Sequence, residues 1–109
     1  MNALDKKRAL EIEPEKAMDF IAEEQAVLID LRDALSYSQG HVPGAVHVSP
    51  ARLLEQLQHF SKEKAILAVC YHGNNSRYAA AFLRKNGFDK AHSLKFGTEG
   101  WKERGMPLE

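Results

Sequence analysis

The sequence predicts an α/β domain in which a parallel sheet of about five strands carries helices on both faces, a three-layer arrangement. Three observations lead there. Short apolar runs of strand length, such as residues 26–31 (AVLIDL) and 65–69 (AILAV), alternate with amphipathic helical patterns. The runs are continuous rather than alternating in polarity, as in strands covered on both faces. Strands separated by helices also demand crossovers, which are right-handed and place neighbouring strands parallel. At 109 residues the chain has room for one core and is read as a single domain over residues 1–109.

Residues 1–8 mix charges and read as a poorly fixed start, followed by a short edge strand at residues 9–12. Pro14 suits a first helical turn, and Ala17, Phe20 and Ile21 recur at helical spacing through residues 15–24. After the strand at 26–31, Asp33 is positioned to cap a short helix over residues 33–39 that Gly40 stops. Pro43 and Gly44 form a turn before a brief strand at 45–48. Ser49 and Pro50 then open a helix to about Phe60, with Leu53, Leu54, Leu57 and Phe60 on one side. Beyond the strand at 65–69 a helix over residues 76–86 buries Ala79, Ala80, Phe82 and Leu83, and Gly87 ends it. Residues 91–94 form the last strand, 96–100 a turn, and Trp101 an apolar anchor on a short terminal helix.

Cys70 lies where the buried strand at 65–69 meets the next helix, with the polar loop Tyr71, His72, Gly73, Asn74 and Asn75 between them and Ser76 opening the helix. Ligands of open parallel sheets bind at the carboxyl ends of strands, which is where this cysteine sits. A thiolate is the reactive form of cysteine, and the partial positive charge of a helix N-terminus favours an anion. Gly73 is permissive in backbone geometry, so successive N–H groups of the loop can curl around one point as an anion cradle. The bland alternative is a small buried hydrophobe at a strand end, the common fate of a lone cysteine.

Composition bounds the chemistry. Hydrophobic content of 44% and charged content of 28% describe a globular protein, and fifteen basic residues balance fifteen acidic ones, which argues against nucleic acid or a membrane surface as partner. One cysteine excludes an internal disulfide and an internal resolving thiol, so exchange chemistry must finish on another molecule. No stretch approaches membrane-spanning length, and the chain reads as cytoplasmic. His41, His47, His59 and His92 lack ligand spacing, so no metal is expected.

Four segments in order carry a family resemblance: residues 27–32 (VLIDLR), 40–45 (GHVPGA), 70–76 (CYHGNNS) and 97–101 (GTEGW). Together they resemble the rhodanese (sulfurtransferase) family, and its single-domain, thiosulfate-using, GlpE-type members, over about residues 12–101. The resemblance implies a rhodanese-like fold and a cysteine that takes the outer sulfur of a donor such as thiosulfate, holds it as a persulfide, and passes it to cyanide or a thiol. Cys70 would be the nucleophile. The N–H groups of Tyr71, His72, Gly73, Asn74 and Asn75, with Ser76 and Arg77 at the helix start, would bind the donor. No cofactor is implied, and the acceptor is a small thiol, cyanide or a thioredoxin-like protein. Asp30 and Arg32 read as a strand-end bond network bracing the active loop, with His41 in the same support. Two departures stand out: many members carry arginine one or five residues after the cysteine, where Tyr71 and Asn75 stand here, and the family's Gly-Gly is Phe96-Gly97, which reshapes the site mouth.

Several side chains have two readings. His72 lies within the loop and within reach of an anionic substrate, yet five histidines in a chain of this size need no catalytic explanation. Arg77 opposes the dipole of the helix it begins, a conflict that a nearby anion resolves and that a solvated arginine also avoids. A cysteine phosphatase or arsenate reductase needs a Cys-x5-Arg loop, but the sixth residue after Cys70 is Ser76 and the seventh is Arg77. A non-catalytic docking module on the same scaffold, or a sulfur relay between two proteins, remains as an alternative function.

Overall fold

The computed structural model describes residues 9–109, so the expectation for residues 1–8 lies outside the described residues. In chain order the elements are β1 (Glu11–Ile12), α1 (Pro14–Glu24), β2 (Val27–Asp30), α2 (Ala34–Ser38), β3 (Val46–His47), a 3-10 turn (Pro50–Arg52), α3 (Leu53–Leu57), β4 (Ile66–Val69), α4 (Asn74–Lys85), β5 (Ala91–Leu94) and α5 (Gly97–Glu103).

All four residues of β4 are buried, and successive side chains serve opposite faces: Ile66 and Ala68 join one core, Leu67 and Val69 the other. That two-sided burial explains the unbroken apolar run and makes β4 the central strand. β2 and β5 flank it, with β3 and β1 at the edges, in the order β1-β5-β4-β2-β3. Every pairing is parallel, Leu28 standing opposite Leu67 and Ala68 opposite Ser93. Leu53, Leu57, Ala80 and Leu83 of α3 and α4 cover one face, and Ala17 of α1 with Trp101 of α5 covers the other. The parallel α/β sandwich expected from the sequence is the observed architecture.

Element ends differ from the expectations in informative ways. Asp33 does cap α2, its carboxylate accepting from Ser36 N at 2.9 Å. Ser49 makes no such cap bond, and the helix expected to reach Phe60 is instead a 3-10 turn and a five-residue α3. Phe60 is therefore exposed, while Leu53 and Leu57 are buried and Leu54 packs partly against them. α4 starts two residues earlier than expected, because Gly73 adopts φ +92° and serves as its N-cap. Its buried stripe is Ser76, Ala80 and Leu83, three and four residues apart; Phe82 falls off that stripe and is 45% exposed, contrary to the expectation that it is core. The segment expected as a turn at 96–100 is a turn only at Phe96, with α5 already begun at Gly97.

Trp101 is the largest fully buried side chain, and its indole N–H donates to Pro107 O at 2.7 Å. Trp101→Ala should cost about 3–5 kcal/mol of stability, seen as a lower urea midpoint by circular dichroism.

Candidate active site

The turn from β4 into α4 is built largely by backbone contacts. Cys70 follows the last residue of β4 and is buried. Its Sγ accepts from Gly73 N at 3.2 Å and from Ser76 N at 3.2 Å, and lies 3.2 Å from Ser76 Oγ. Two backbone donors and one hydroxyl, which accepts from the thiol, thus meet one sulfur at the start of a twelve-residue helix whose first turn carries no acid. Gly73 is required twice over: its φ is +92°, and a Cβ there would stand 3.0 Å from Phe96 N and 3.2 Å from Leu94 O.

The loop carbonyls face the other way. Thr98 N donates to Cys70 O at 2.8 Å and Glu99 N to Tyr71 O at 3.0 Å, so the opening turn of α5 takes these acceptors and leaves loop N–H groups aimed at the sulfur. Gly97 permits the approach, since a Cβ on it would fall closer than 3.0 Å to Cys70 O and Tyr71 O.

A second attachment runs through Tyr71. Its hydroxyl donates to the Asp33 carboxylate that caps α2, and it also lies in hydrogen-bond contact with Ser36. The Arg32 guanidinium stands 5.5 Å from the centre of the Tyr71 ring. The Tyr71 hydrogen bond, followed by those from Ser36, holds the Asp33 carboxyl down at about 2.

Behind this lies the buried pair expected at the end of β2. Asp30 accepts from Arg32 N at 3.0 Å, from Nε at 3.0 and 3.1 Å, and from the terminal nitrogen at 2.9 Å, and that nitrogen also donates to Gly40 O at 2.7 Å. His41 has other partners: its Nδ1 lies 2.9 Å from Tyr37 O, its ring stacks on Tyr37, and its backbone exchanges hydrogen bonds with Glu109. It adjoins the Asp30–Arg32 pair through Gly40 and holds the C-terminal segment.

The chain's match to the family model for the rhodanese-like domain extends over residues 13–104. The chain belongs to the rhodanese family. It is 40% identical over 99 residues to the thiosulfate sulfurtransferase GlpE of Actinobacillus succinogenes, covering 91% of this chain and 89% of that protein. The corresponding protein of Glaesserella parasuis serovar 5 is 34% identical over 91% of this chain and 92% of its own length. Among solved structures, the BH2092 protein of Bacillus halodurans superposes with a TM-score of 0.82 at 27% identity, covering 97% of this chain and 80% of that one.

Within this rhodanese domain the residues singled out from sequence separate into three groups. Cys70, Gly73 and Ser76 meet at the sulfur. Tyr71 turns toward α2, and His72 turns toward Phe96, where the two line a depression of about 330 Å³ with Glu99, Glu103 and Arg104. Asn74, Asn75 and Arg77 are exposed on the first turns of α4, Asn75 bordering a second depression of about 380 Å³ with Tyr78 and Phe82. Phe96 takes φ +67°, a left-handed conformation uncommon outside glycine, and its ring lies between Lys95 at 5.2 Å and Arg104 at 4.8 Å. Among the described residues no cluster of three His, Cys, Asp or Glu side chains is arranged to hold a metal, and no helix is long and apolar enough to cross a membrane.

Sequence reasoning passed over Asp33 as a partner of Tyr71, Gly97 as a contact of the loop, and Ser93, whose Oγ lies 2.7 Å from Ser76 Oγ. Only Ser93 left a signal, as a small polar residue within a strand read as buried, where a hydroxyl needs a partner.

Two substitutions test the loop's attachments. Gly97→Ala should cost about 3 kcal/mol or more, since backbone atoms cannot yield to the new Cβ and φ +62° disfavours it, lowering the urea midpoint. Tyr71→Phe should let the Asp33 carboxyl rise toward 3.8, followed by carbon-13 NMR titration. Because the folded value is depressed, the latch contributes in full above pH 3.8 and is lost as pH falls through about 2, so in the unmutated protein it holds across the neutral range.

Proposed function

We propose that this protein is a thiosulfate sulfurtransferase in which Cys70 carries sulfur as a persulfide. The observation that supports it most directly is the convergence of Gly73 N, Ser76 N and Ser76 Oγ on Cys70 Sγ at the head of α4. The relatives named thiosulfate sulfurtransferase, at 34–40% identity over 91% of the chain, support the choice of donor.

In this reading the Cys70 thiolate attacks the outer sulfur of thiosulfate. The Sγ–S bond forms as the S–S bond of thiosulfate breaks, and sulfite leaves with the electron pair. The loop N–H groups from Tyr71 to Asn75 hold the donor's anionic end and then the outer persulfide sulfur, as oxyanion-hole donors hold developing charge. Cyanide or a thiol then attacks that outer sulfur and releases the Cys70 thiolate. No cofactor takes part. Asp30 and Arg32 fix the end of β2 beside the loop and do not touch the reacting atoms. The whole of residues 1–109 acts as one rhodanese domain in the cytoplasm, where a chain with one cysteine and no disulfide is at home.

A second reading, sulfur relay to a thioredoxin-like or other protein thiol, is favoured by Tyr78 and Phe82, which stand 72% and 45% exposed beside Asn75.

Intact mass measured after incubation with thiosulfate decides the main proposal. The unmutated protein should gain one sulfur atom and Cys70→Ser none, with thiosulfate-to-cyanide turnover abolished in that variant and its fold retained. Turnover surviving in Cys70→Ser would sink the mechanism.

A further inference from the structure

The sulfur of Cys70 has one partner that leads away from the loop and into the sheet. Ser76 Oγ lies 3.2 Å from Sγ and 2.7 Å from Ser93 Oγ, and both serines are fully buried. Ser93 stands on β5 opposite Ala68 of β4, two residues before Cys70, so the three polar groups form a line beneath the loop. Packing alone does not ask for a hydroxyl there: Ala91 and Ala68 fill neighbouring positions of the same core, and a buried hydroxyl costs free energy unless it is bonded.

We propose that Ser93 is a positioning residue for sulfur transfer, orienting the Ser76 hydroxyl so that its proton faces Cys70 Sγ whenever that sulfur is anionic. The proposal rests on the sulfurtransferase reading for its role in turnover, but not for the geometry. A serine hydroxyl has one proton and two lone pairs, so the line has two complete arrangements. With a thiol, Sγ–H donates to Ser76 Oγ, and Ser76 donates to Ser93. With a thiolate both bonds reverse: Ser93 donates to Ser76, and Ser76 donates to Sγ. The sulfur anion then accepts from Gly73 N, Ser76 N and Ser76 Oγ together.

The step that gains is discharge. The acceptor's lone pair bonds to the outer sulfur, the S–S bond of the persulfide breaks, and its electron pair returns to Sγ, where the Ser76 proton meets it. Loading moves charge the other way, from Sγ toward the leaving sulfite, and gains nothing from this hydrogen bond.

The charged and titratable groups on the elements around Cys70 are Asp30 and Arg32 from the end of β2, Asp33 at the cap of α2, Tyr71 and His72 in the loop, Arg77 on α4, and Lys95 and Glu99 beside the start of α5. Among the described residues the hydrogen bonds to Sγ come from Gly73 and Ser76, and substitution of either serine leaves every charged group in place.

Ser93→Ala, Ser76→Ala and the double variant test this, each first confirmed as folded by circular dichroism. The rate of Cys70 alkylation by iodoacetamide is followed against pH in unloaded protein, and the rate of persulfide discharge to cyanide is followed in protein preloaded with thiosulfate. Both single variants should move the alkylation profile to higher pH and slow discharge on the order of ten-fold. The double variant should match Ser76→Ala, because Ser93 acts only through Ser76. An unmoved alkylation profile in Ser93→Ala, or additive effects in the double variant, would overturn the proposal. Protein that thiosulfate does not load refutes the sulfurtransferase reading instead, and the alkylation profiles still decide whether Ser93 orients Ser76.

Discussion

Gly97 lies so close to Cys70 and Tyr71 that no side chain fits between the two backbones, and the direction of the whole active loop follows from that approach. A peptide that gives its carbonyl to one side must show its N–H to the other. Because Thr98 and Glu99 bind the carbonyls of Cys70 and Tyr71, the loop cannot rotate its acceptors toward the sulfur without abandoning two hydrogen bonds. The cost of breaking them in a buried setting is about 1–3 kcal/mol each, enough to hold one orientation of the cradle. Gly73 completes the arrangement from the other side, closing on Phe96 N and Leu94 O at distances a side chain would not tolerate.

The loop is also tied across the sheet. Tyr71, next to the cysteine, reaches the Asp33 carboxylate at the N-terminus of α2, and Arg32 beneath its ring is fixed by Asp30. β2 and β5 stand on either side of β4, so the two attachments restrain the loop from both neighbours of its own strand. Asp30 is wholly buried, and removing one member of such a pair leaves an uncompensated charge, so Asp30 and Arg32 stand or fall together.

What the sequence revealed and what it hid divide along contact range. β2 and β4 were visible because an unbroken apolar run reflects burial on both faces, a local property of each segment. Cys70, Gly73 and Ser76 were visible because one seven-residue segment contains them all. The start of α4 was displaced because glycine rather than serine is the cap there, and Phe82 was misplaced because apolar character says nothing about which side of the stripe a residue occupies. α5 was obscured by Gly97 and Gly100, poor helix formers that are present for close contacts: a Cβ on Gly100 would strike the Phe96 side chain. Ser93 and the Asp33–Tyr71 bond join residues 17 and 38 positions apart, and no periodicity encodes such pairs.

Charge accounting gives the site its character. Arg32 is committed to Asp30 and Gly40 O, and Arg104, near the mouth, to Glu15 and Gly100 O. Tyr71 and Asn75, one and five residues after Cys70, bring no cation to the loop. The groups nearest the sulfur are backbone: the N–H groups of Gly73 and Ser76, at the head of a helix with no acid in its first turn and with Arg84 and Lys85 in its last, while Arg77 is exposed on the same helix. Such dipoles cannot be neutralised by pH and need no side-chain ordering when a substrate arrives. They also act over a short range, unlike a mobile guanidinium. A site built this way selects an anion by where its charge sits relative to Sγ rather than by how much charge it carries.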